Sequence, residues 1–260
     1  MANSKYEYVK EFEVDDKLPL YNWIVVRIDG CHFKRFTTDH GFDKPNDECG
    51  LNLMNSCAAA MFDRFADIVI AYGFSDEYSF IWKESTEFHE RRKSKILSLS
   101  VSFFTGVYIR NWEKFFPKND LKDTPCFDAR VICYPKARII KHYLEYKQTD
   151  CHVNNQYNTC FWVLVKSGKT VGEAQKFLMG THKKEKNDLL FIQHAINYKE
   201  LPAIFRKGSF VYRKRVEETV KLDSNGRPIL RSRNKVVVGH DDLNDQFWKN
   251  HSYILLKKKI

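Results

Sequence analysis

The sequence predicts an α+β protein: an antiparallel-leaning sheet with helices on one face, plus helical segments and a C-terminal β-hairpin. Three observations carry this expectation. Short β-branched apolar runs recur at Trp23–Ile28, Ile68–Tyr72 and Tyr78–Trp82. Between and after them, apolar residues fall at three- and four-residue intervals, the spacing of helices with one apolar face. From Ser209 the pattern changes into two stretches that read as a hairpin around Ser224-Asn225-Gly226.

Taken in order, Trp23–Ile28 reads as a buried strand. Asp43-Lys44-Pro45-Asn46-Asp47 marks a helix start, with proline followed by Asn or Asp as N-cap. The helix behind it carries Leu51, Met54, Ala58, Met61, Phe62 and Phe65 on one face. Ile68–Tyr72 and Tyr78–Trp82 follow as a tight hairpin. A long helix is expected over about 86–116, with Leu97, Val101, Phe104, Tyr108 and Trp112 on one face. Its early part is the basic cluster Arg91-Arg92-Lys93-Ser94-Lys95. Asp128–Tyr134 is a further strand ended by Pro135, and 136–198 is mostly helical. Ser209–Val220 and Pro228–Val238 form the hairpin, and Leu243–Trp248 a short helix before Lys257-Lys258-Lys259. A soft boundary near residue 135 separates the strand-rich part, 1–135, from a helical and hairpin region, 136–260, that completes one compact unit.

The formal net charge of +10 is spread through folded-looking segments, which favours a polyanionic partner over a charged tail. Seven cysteines without a CxxC pair fit reduced thiols in a reducing compartment. No apolar stretch approaches the roughly 20 residues of a membrane helix. The charged stretch Met1 to Asp16 does not read as a signal peptide. The expectation is an intracellular protein with no membrane association, the cytoplasm being the default and nuclear or mitochondrial shares left open.

Two acidic punctuations carry the chemistry. Asp29-Gly30 closes the first strand, and Ser75-Asp76 stands in the hairpin turn. Two carboxylates from neighbouring strands could fix two divalent ions about 4 Å apart for phosphoryl or nucleotidyl transfer. The Gly30 carbonyl would add an oxygen ligand suited to a hard cation. Each Asp alone also reads as a turn cap, the commonest job of Asp beside Gly; the strand order favours the metal site. Lys44, Asn46, Asp47, Arg92 and Lys95 could hold a triphosphate from two sides, or be a capped helix and a solvated basic face. Gly73-Phe74-Ser75-Asp76-Glu77 lacks the closing glycine of a nucleophile elbow. Gly168-Lys169-Thr170 would need glycine where Val163 stands to be a phosphate loop. Cys151-His152 has no further ligands at zinc spacing, and His152 reads as a helix-start or RNA-contacting residue.

Several of these segments together resemble the eukaryotic tRNA(His) guanylyltransferase family. They are Val26-Arg27-Ile28-Asp29-Gly30, Lys44-Pro45-Asn46-Asp47, Ser75-Asp76-Glu77-Tyr78-Ser79-Phe80 and Cys151-His152-Val153-Asn154-Asn155-Gln156-Tyr157-Asn158-Thr159. Lys186-Asn187-Asp188-Leu189-Leu190-Phe191, Asn197-Tyr198 and Phe205-Arg206-Lys207-Gly208 extend the likeness over nearly the whole chain.

The resemblance implies a palm-like catalytic domain that adds one guanylate to the 5′ end of tRNA(His). ATP adenylylates the 5′-phosphate, the GTP 3′-hydroxyl attacks it, and pyrophosphate is then removed. By matching positions, Asp29, Gly30 and Asp76 would hold two Mg2+ ions. Asp29, Gly30, Cys31, His32, Phe33, Lys34, Ser75 and Asp76 would contact the incoming nucleotide, with Asp29, Asp76 and Ser75 catalytic. Lys44, Asn46, Asp47, Arg92 and Lys95 would serve a second nucleotide or triphosphate. His152, Lys186 and Asn197 match positions tied to tRNA handling. Many relatives carry His where this chain has Lys34, so backbone contacts there are the part that carries over. A homotetramer is implied as well. The competing readings are a palm-like nucleotide cyclase, which would turn over GTP without RNA, and a non-catalytic tRNA-binding protein with a structural acidic pair.

Overall fold

The computed structural model describes residues 4–222 and 228–256. The Ser224-Asn225-Gly226 turn and the Lys257-Lys258-Lys259 tail lie outside the described residues.

β1 (Trp23–Gly30) is followed by α1 (Phe33–Asp39), α2 (Glu48–Arg64), and the hairpin β2 (Ile68–Phe74) and β3 (Glu77–Trp82). Next come α3 (Lys93–Phe115), β4 (Phe127–Tyr134) and the long α4 (Ala137–Lys166). Short helices α5 (Val171–Leu178), α6 (Lys183–Asp188) and α7 (Ala203–Lys207) lead to β5 (Ser209–Leu222), β6 (Pro228–Gly239) and α8 (Asp245–Asn250). All six strands of the described residues join one antiparallel sheet in the order β4-β1-β3-β2-β5-β6. The C-terminal hairpin is therefore an extension of the same sheet, joined through β2 and β5.

Side chains alternate across a strand, so β1 feeds two cores. Ile24, Val26 and Ile28 pack with Leu53, Cys57 and Met61 of α2 and Phe104 and Tyr108 of α3. This is the layer of helices expected from the periodicity. Trp23 and Val25 face the other way, onto Ile140 and Leu144 of α4 and Phe247 and Trp248 of α8. The far half of α4 runs on and gathers α5 and the segment after α6 around Cys160, Leu164 and Leu178. One helix thus spans the sheet and the helical region beside it. No described helix is long and apolar enough to cross a membrane.

The long helix starts later than the sequence suggests, at Lys93. His89, Glu90 and Arg91 take positive φ values of 46°, 54° and 60°, which no right-handed helix contains. Arg91 explains why. Its guanidinium is buried and donates to the carbonyls of Leu18, Pro19, Asn22, Glu84 and Thr86. A buried cation needs such acceptors, and gathering five of them breaks the helical path. Arg91 therefore leaves the basic cluster and becomes a staple for the N-terminal segment. The last helix also shifts, to Asp245–Asn250, because the Asn244 side chain accepts from the Phe247 N–H at 3.0 Å and caps it there.

Candidate active site

β1 and the β2–β3 turn meet at one end of the sheet. The Gly30 N–H donates to the Asp76 carbonyl at 3.2 Å, locking the two acidic segments side by side. Gly30 is required there, since a Cβ would lie 2.5 Å from the Phe33 ring. Ser75 occupies the turn at φ 54°, a strained position for a residue with a Cβ, and donates its hydroxyl to Asp76 Oδ1 at 2.7 Å.

The register shows what surrounds Asp29. Its cross-strand neighbours are Glu77 on β3 and Asp128 on β4, three acids in one row on the face toward α4. Two residues back, the same face carries Arg27, with Ser79 and Arg130 opposite. Glu77 is clamped by Lys147 of α4, Nζ to Oε1 at 2.6 Å, and by Arg27 at 3.5 Å. Lys147 is itself buried. Burial pushes the Asp76 carboxyl above its ordinary range, and the Asp29 charge adds to this against the Ser75 hydrogen bond. Burial raises Glu77 too, opposed by Lys147 and Arg27.

A cleft opens from these acids toward α2. Ser75 and Asp76 line it with Phe33, Lys44, Asn46 and Asp47. A second hollow continues past Asp29, Asp76 and Glu77 to Asp150, Asn154 and Asn158 of α4. Asp47 performs the capping job, Oδ1 accepting from the Gly50 N–H at 2.8 Å, and still faces the cleft. Lys44 donates to Thr37 Oγ1 at 3.1 Å, and burial lowers its pKa against the pull of Asp47. Asn46 donates to Asn155 Oδ1 at 2.9 Å, and Lys166 Nζ donates to the Lys44 carbonyl at 2.7 Å. Thus α4 anchors both the acid row and the Lys44–Asp47 loop.

Cys31 and His32 turn the chain into α1, His32 at φ 53°. Phe33 is buried in the aromatic core, while His32 and Lys34 are exposed. Arg92 and Lys95 are not brought to this cleft within one chain. They sit at the start of α3, and about 1.5 Å per residue puts Lys95 roughly 20 Å along the helix from Tyr108, which lines the cleft.

His152, Lys186 and Asn197 gather on the flank of α4. Tyr198 donates to the His152 carbonyl at 3.2 Å and accepts from Asn155 at 3.1 Å. Burial holds the His152 imidazole below its usual pKa, helped by Lys183 and Arg206, and its Nε2 is buried without a partner. Lys186 donates to the Thr181 carbonyl at 2.6 Å, and Asn197 to Glu200 at 2.8 Å. Thr170 is the capping residue of α5, with Glu173 completing a capping box, which accounts for Gly168-Lys169-Thr170 without a phosphate.

Sequence reasoning passed over Arg27, Glu77, Asp128, Arg130, Lys147 and Asn155. A signal existed for Arg27, a cation interrupting an otherwise apolar strand, and for Glu77, an acid beside Asp76. Among the described residues no three His, Cys, Asp or Glu side chains converge as a ready-made metal cluster. The donors that fit an ion are Asp29, Asp76 and the Gly30 carbonyl, all oxygen, the set of a hard divalent cation.

A palm-like antiparallel sheet, edged with acids and opening on a cation-bearing cleft, defines a class of nucleotide-handling folds. A family model described as tRNAHis guanylyltransferase matches residues 6–135, and one described as the Thg1 C terminal domain matches 138–250. tRNA(His) guanylyltransferase 1 of Arabidopsis thaliana is 55% identical over 242 residues, 93% of this chain but 43% of that protein. The chain thus spans less than half the length of that relative. A probable tRNA(His) guanylyltransferase of Dictyostelium discoideum is 49% identical over 99% of this chain and 100% of its own. The crystal structure of the Saccharomyces cerevisiae tRNA(His) guanylyltransferase superposes with a TM-score of 0.77 at 46% identity, covering 80% of this chain and 93% of that one. The chain belongs to the tRNA(His) guanylyltransferase family.

Proposed function

We propose that this protein adds a single guanylate to the 5′ end of tRNA(His) by 3′–5′ nucleotidyl transfer. The observation that carries this is the Gly30–Asp76 lock, which sets Asp29 and Asp76 side by side at the mouth of the cleft holding Lys44, Asn46 and Asp47. The proposed sequence is adenylylation of the tRNA 5′-phosphate by ATP, attack by the GTP 3′-hydroxyl, and removal of pyrophosphate.

Asp29, Asp76 and the Gly30 carbonyl would hold two Mg2+ ions, whose chemistry is to acidify the attacking hydroxyl and stabilise charge on the leaving group. The chain's own groups position the rest. Lys44 and Asn46 meet a triphosphate in the cleft, fixed from behind by Lys166 and Asn155. Ser75, through Asp76, orients the carboxylate. Arg27 and Arg130 stand opposite one another, a like-charge pair that Glu77 offsets only in part, through Arg27 at 3.5 Å. In this reading the RNA 5′-phosphate lies against the remaining positive charge. Such transfer depends on positioning and charge stabilisation and requires no protein nucleophile. Residues 1–135 carry the palm-like core, and 136–260 complete it and contact tRNA through His152, Lys186 and Asn197. In a homotetramer, Arg92 and Lys95 would serve the triphosphate of a neighbouring subunit, since within one chain they lie far along α3 from the cleft.

Two expectations follow. Asn155→Leu removes a contact to Asn46 worth about 0.5–1.5 kcal/mol, so steady-state kinetics should show a nucleotide KM up to about tenfold higher. Filter binding of tRNA should weaken steeply as salt rises, because a chain of net charge +10 displaces counterions from phosphates.

The reading is tested with a 5′-labelled, monophosphorylated tRNA(His) transcript incubated with protein, Mg2+, ATP and GTP. Label protected inside a G-to-G linkage, with tRNA(Phe) unchanged, is the expected result. Tight tRNA binding without addition would favour a binding protein, and a cyclic product from GTP alone a cyclase.

A further inference from the structure

Cys31 and Cys126 face one another where β1 runs out and the chain enters β4. The register Gly30↔Phe127, carried one step further, sets these two residues opposite each other. The Cys31 N–H donates to the Cys126 carbonyl at 2.8 Å. This is one of the two bonds of a narrow antiparallel pair, and a full pair of that kind holds its Cα atoms about 5.5 Å apart. A disulfide spans about 4.4–6.8 Å between Cα atoms. The two side chains leave opposed positions at the strand ends. Both are free, Cys31 half-buried and Cys126 exposed. They line an open cleft with His32, Lys34 and Asp123, so a small oxidant reaches Cys126 from solvent. Cys31 Sγ also donates to Asp128 Oδ2 at 3.4 Å, which fixes the direction of the thiol.

We propose that Cys31 and Cys126 are a modification site, forming a reversible disulfide with hydrogen peroxide that shuts down nucleotide addition. The Cys126 sulfur attacks one peroxide oxygen, the O–O bond breaks, and a sulfenic acid and water result. The Cys31 sulfur then attacks the Cys126 sulfur. The S–S bond forms, the S–O bond breaks, and the departing hydroxide leaves as water with the Cys31 proton. Two thiols and one peroxide give one disulfide and two waters. A small dithiol reverses the bond by exchange.

The new bond draws the Cys31 sulfur away from Asp128 and ties the residue after Gly30 to the lead of β4. The backbone of residues 29–34 then loses the freedom to settle around a nucleotide. This effect on addition rests on the proposed role of that segment; the disulfide itself does not.

The test treats reduced, full-length protein with hydrogen peroxide, blocks free thiols, and maps peptides without reductant. The expected result is a Cys31–Cys126 linked peptide two hydrogens lighter than its separate halves. Addition should fall about 10²-fold, the scale of an ångström-sized misplacement, and return with dithiothreitol. Cys126→Ser should form no link and keep its activity under the same treatment. No linked peptide, while exposed Cys49 becomes oxidised, would overturn the proposal. A link that leaves addition unchanged would overturn its control of activity, as would peroxide inactivation of Cys126→Ser matching wild type. Reduced wild type that adds no guanylate would count against the proposed function, with the peptide map still deciding the disulfide.

Discussion

Asp76→Asn is expected to abolish guanylate addition and, at the same time, to raise the melting temperature of the metal-free protein. The two effects have one cause. Asp76 is half-buried beside Asp29, and burial pushes its carboxyl upward. A carboxyl whose folded pKa exceeds its unfolded value favours the folded state at low pH, and this advantage is lost as pH rises through the folded pKa. At neutral pH the ionised Asp76 therefore costs stability, which the neutral amide recovers. Each kcal/mol recovered corresponds to roughly 2–4 °C at about 150–250 residues. Addition should fall roughly 10²–10³-fold or more, the scale of removing one preorganised contact to the transition state. Thermal scans of the metal-free proteins, run upward from about pH 3.5, below the ordinary carboxylate pKa, check the sign: the gap between Asn and Asp should widen as Asp76 ionises. A variant that is inactive and also less stable would mean Asp76 is a structural cap. Binding of tRNA should be nearly unchanged, since the proposed tRNA contacts are His152, Lys186 and Asn197 and not Asp76.

Lys147→Met is expected to have the largest effect on stability among the site residues. Its ammonium is buried and lies 2.6 Å from the half-buried Glu77 carboxylate. Removing one partner of a buried pair costs about 3–5 kcal/mol, because the other charge is left uncompensated. Arg27, at 3.5 Å, compensates only part. Glu77 would then titrate higher still, so the deficit should grow as pH rises. The double variant Lys147→Met, Glu77→Gln should recover most of the loss in chemical denaturation. If the double variant were as unstable as the single, packing of the lysine stem, and not its charge, would be the cause.

These two residues also show where the sequence is legible and where it is not. The order of strand, helix and hairpin was readable because β-branched runs and three-to-four spacing are local signals. Asp29 at a strand end and Asp76 in a turn followed from that order alone. The Lys147–Glu77 pair joins residues 70 positions apart, and Asn46–Asn155 joins residues 109 apart; such contacts depend on how α4 crosses the sheet. The Arg27–Arg130 and Asp29–Asp128 pairs depend on the β1–β4 register, fixed by alternating burial on both faces and not by either strand alone. The late start of α3 was hidden because Arg91 reads as one more surface cation until its carbonyl acceptors from distant turns are known.

The central claim is that Asp29 and Asp76 form the metal-holding edge of a nucleotidyl-transfer site. Electron paramagnetic resonance of Mn2+ titrated into the protein with GTP tests it most directly. Wild type should bind about two ions in the presence of nucleotide, and Asp29→Ala and Asp76→Ala should each lose that binding while remaining folded. Undiminished Mn2+ binding in both variants would contradict the account.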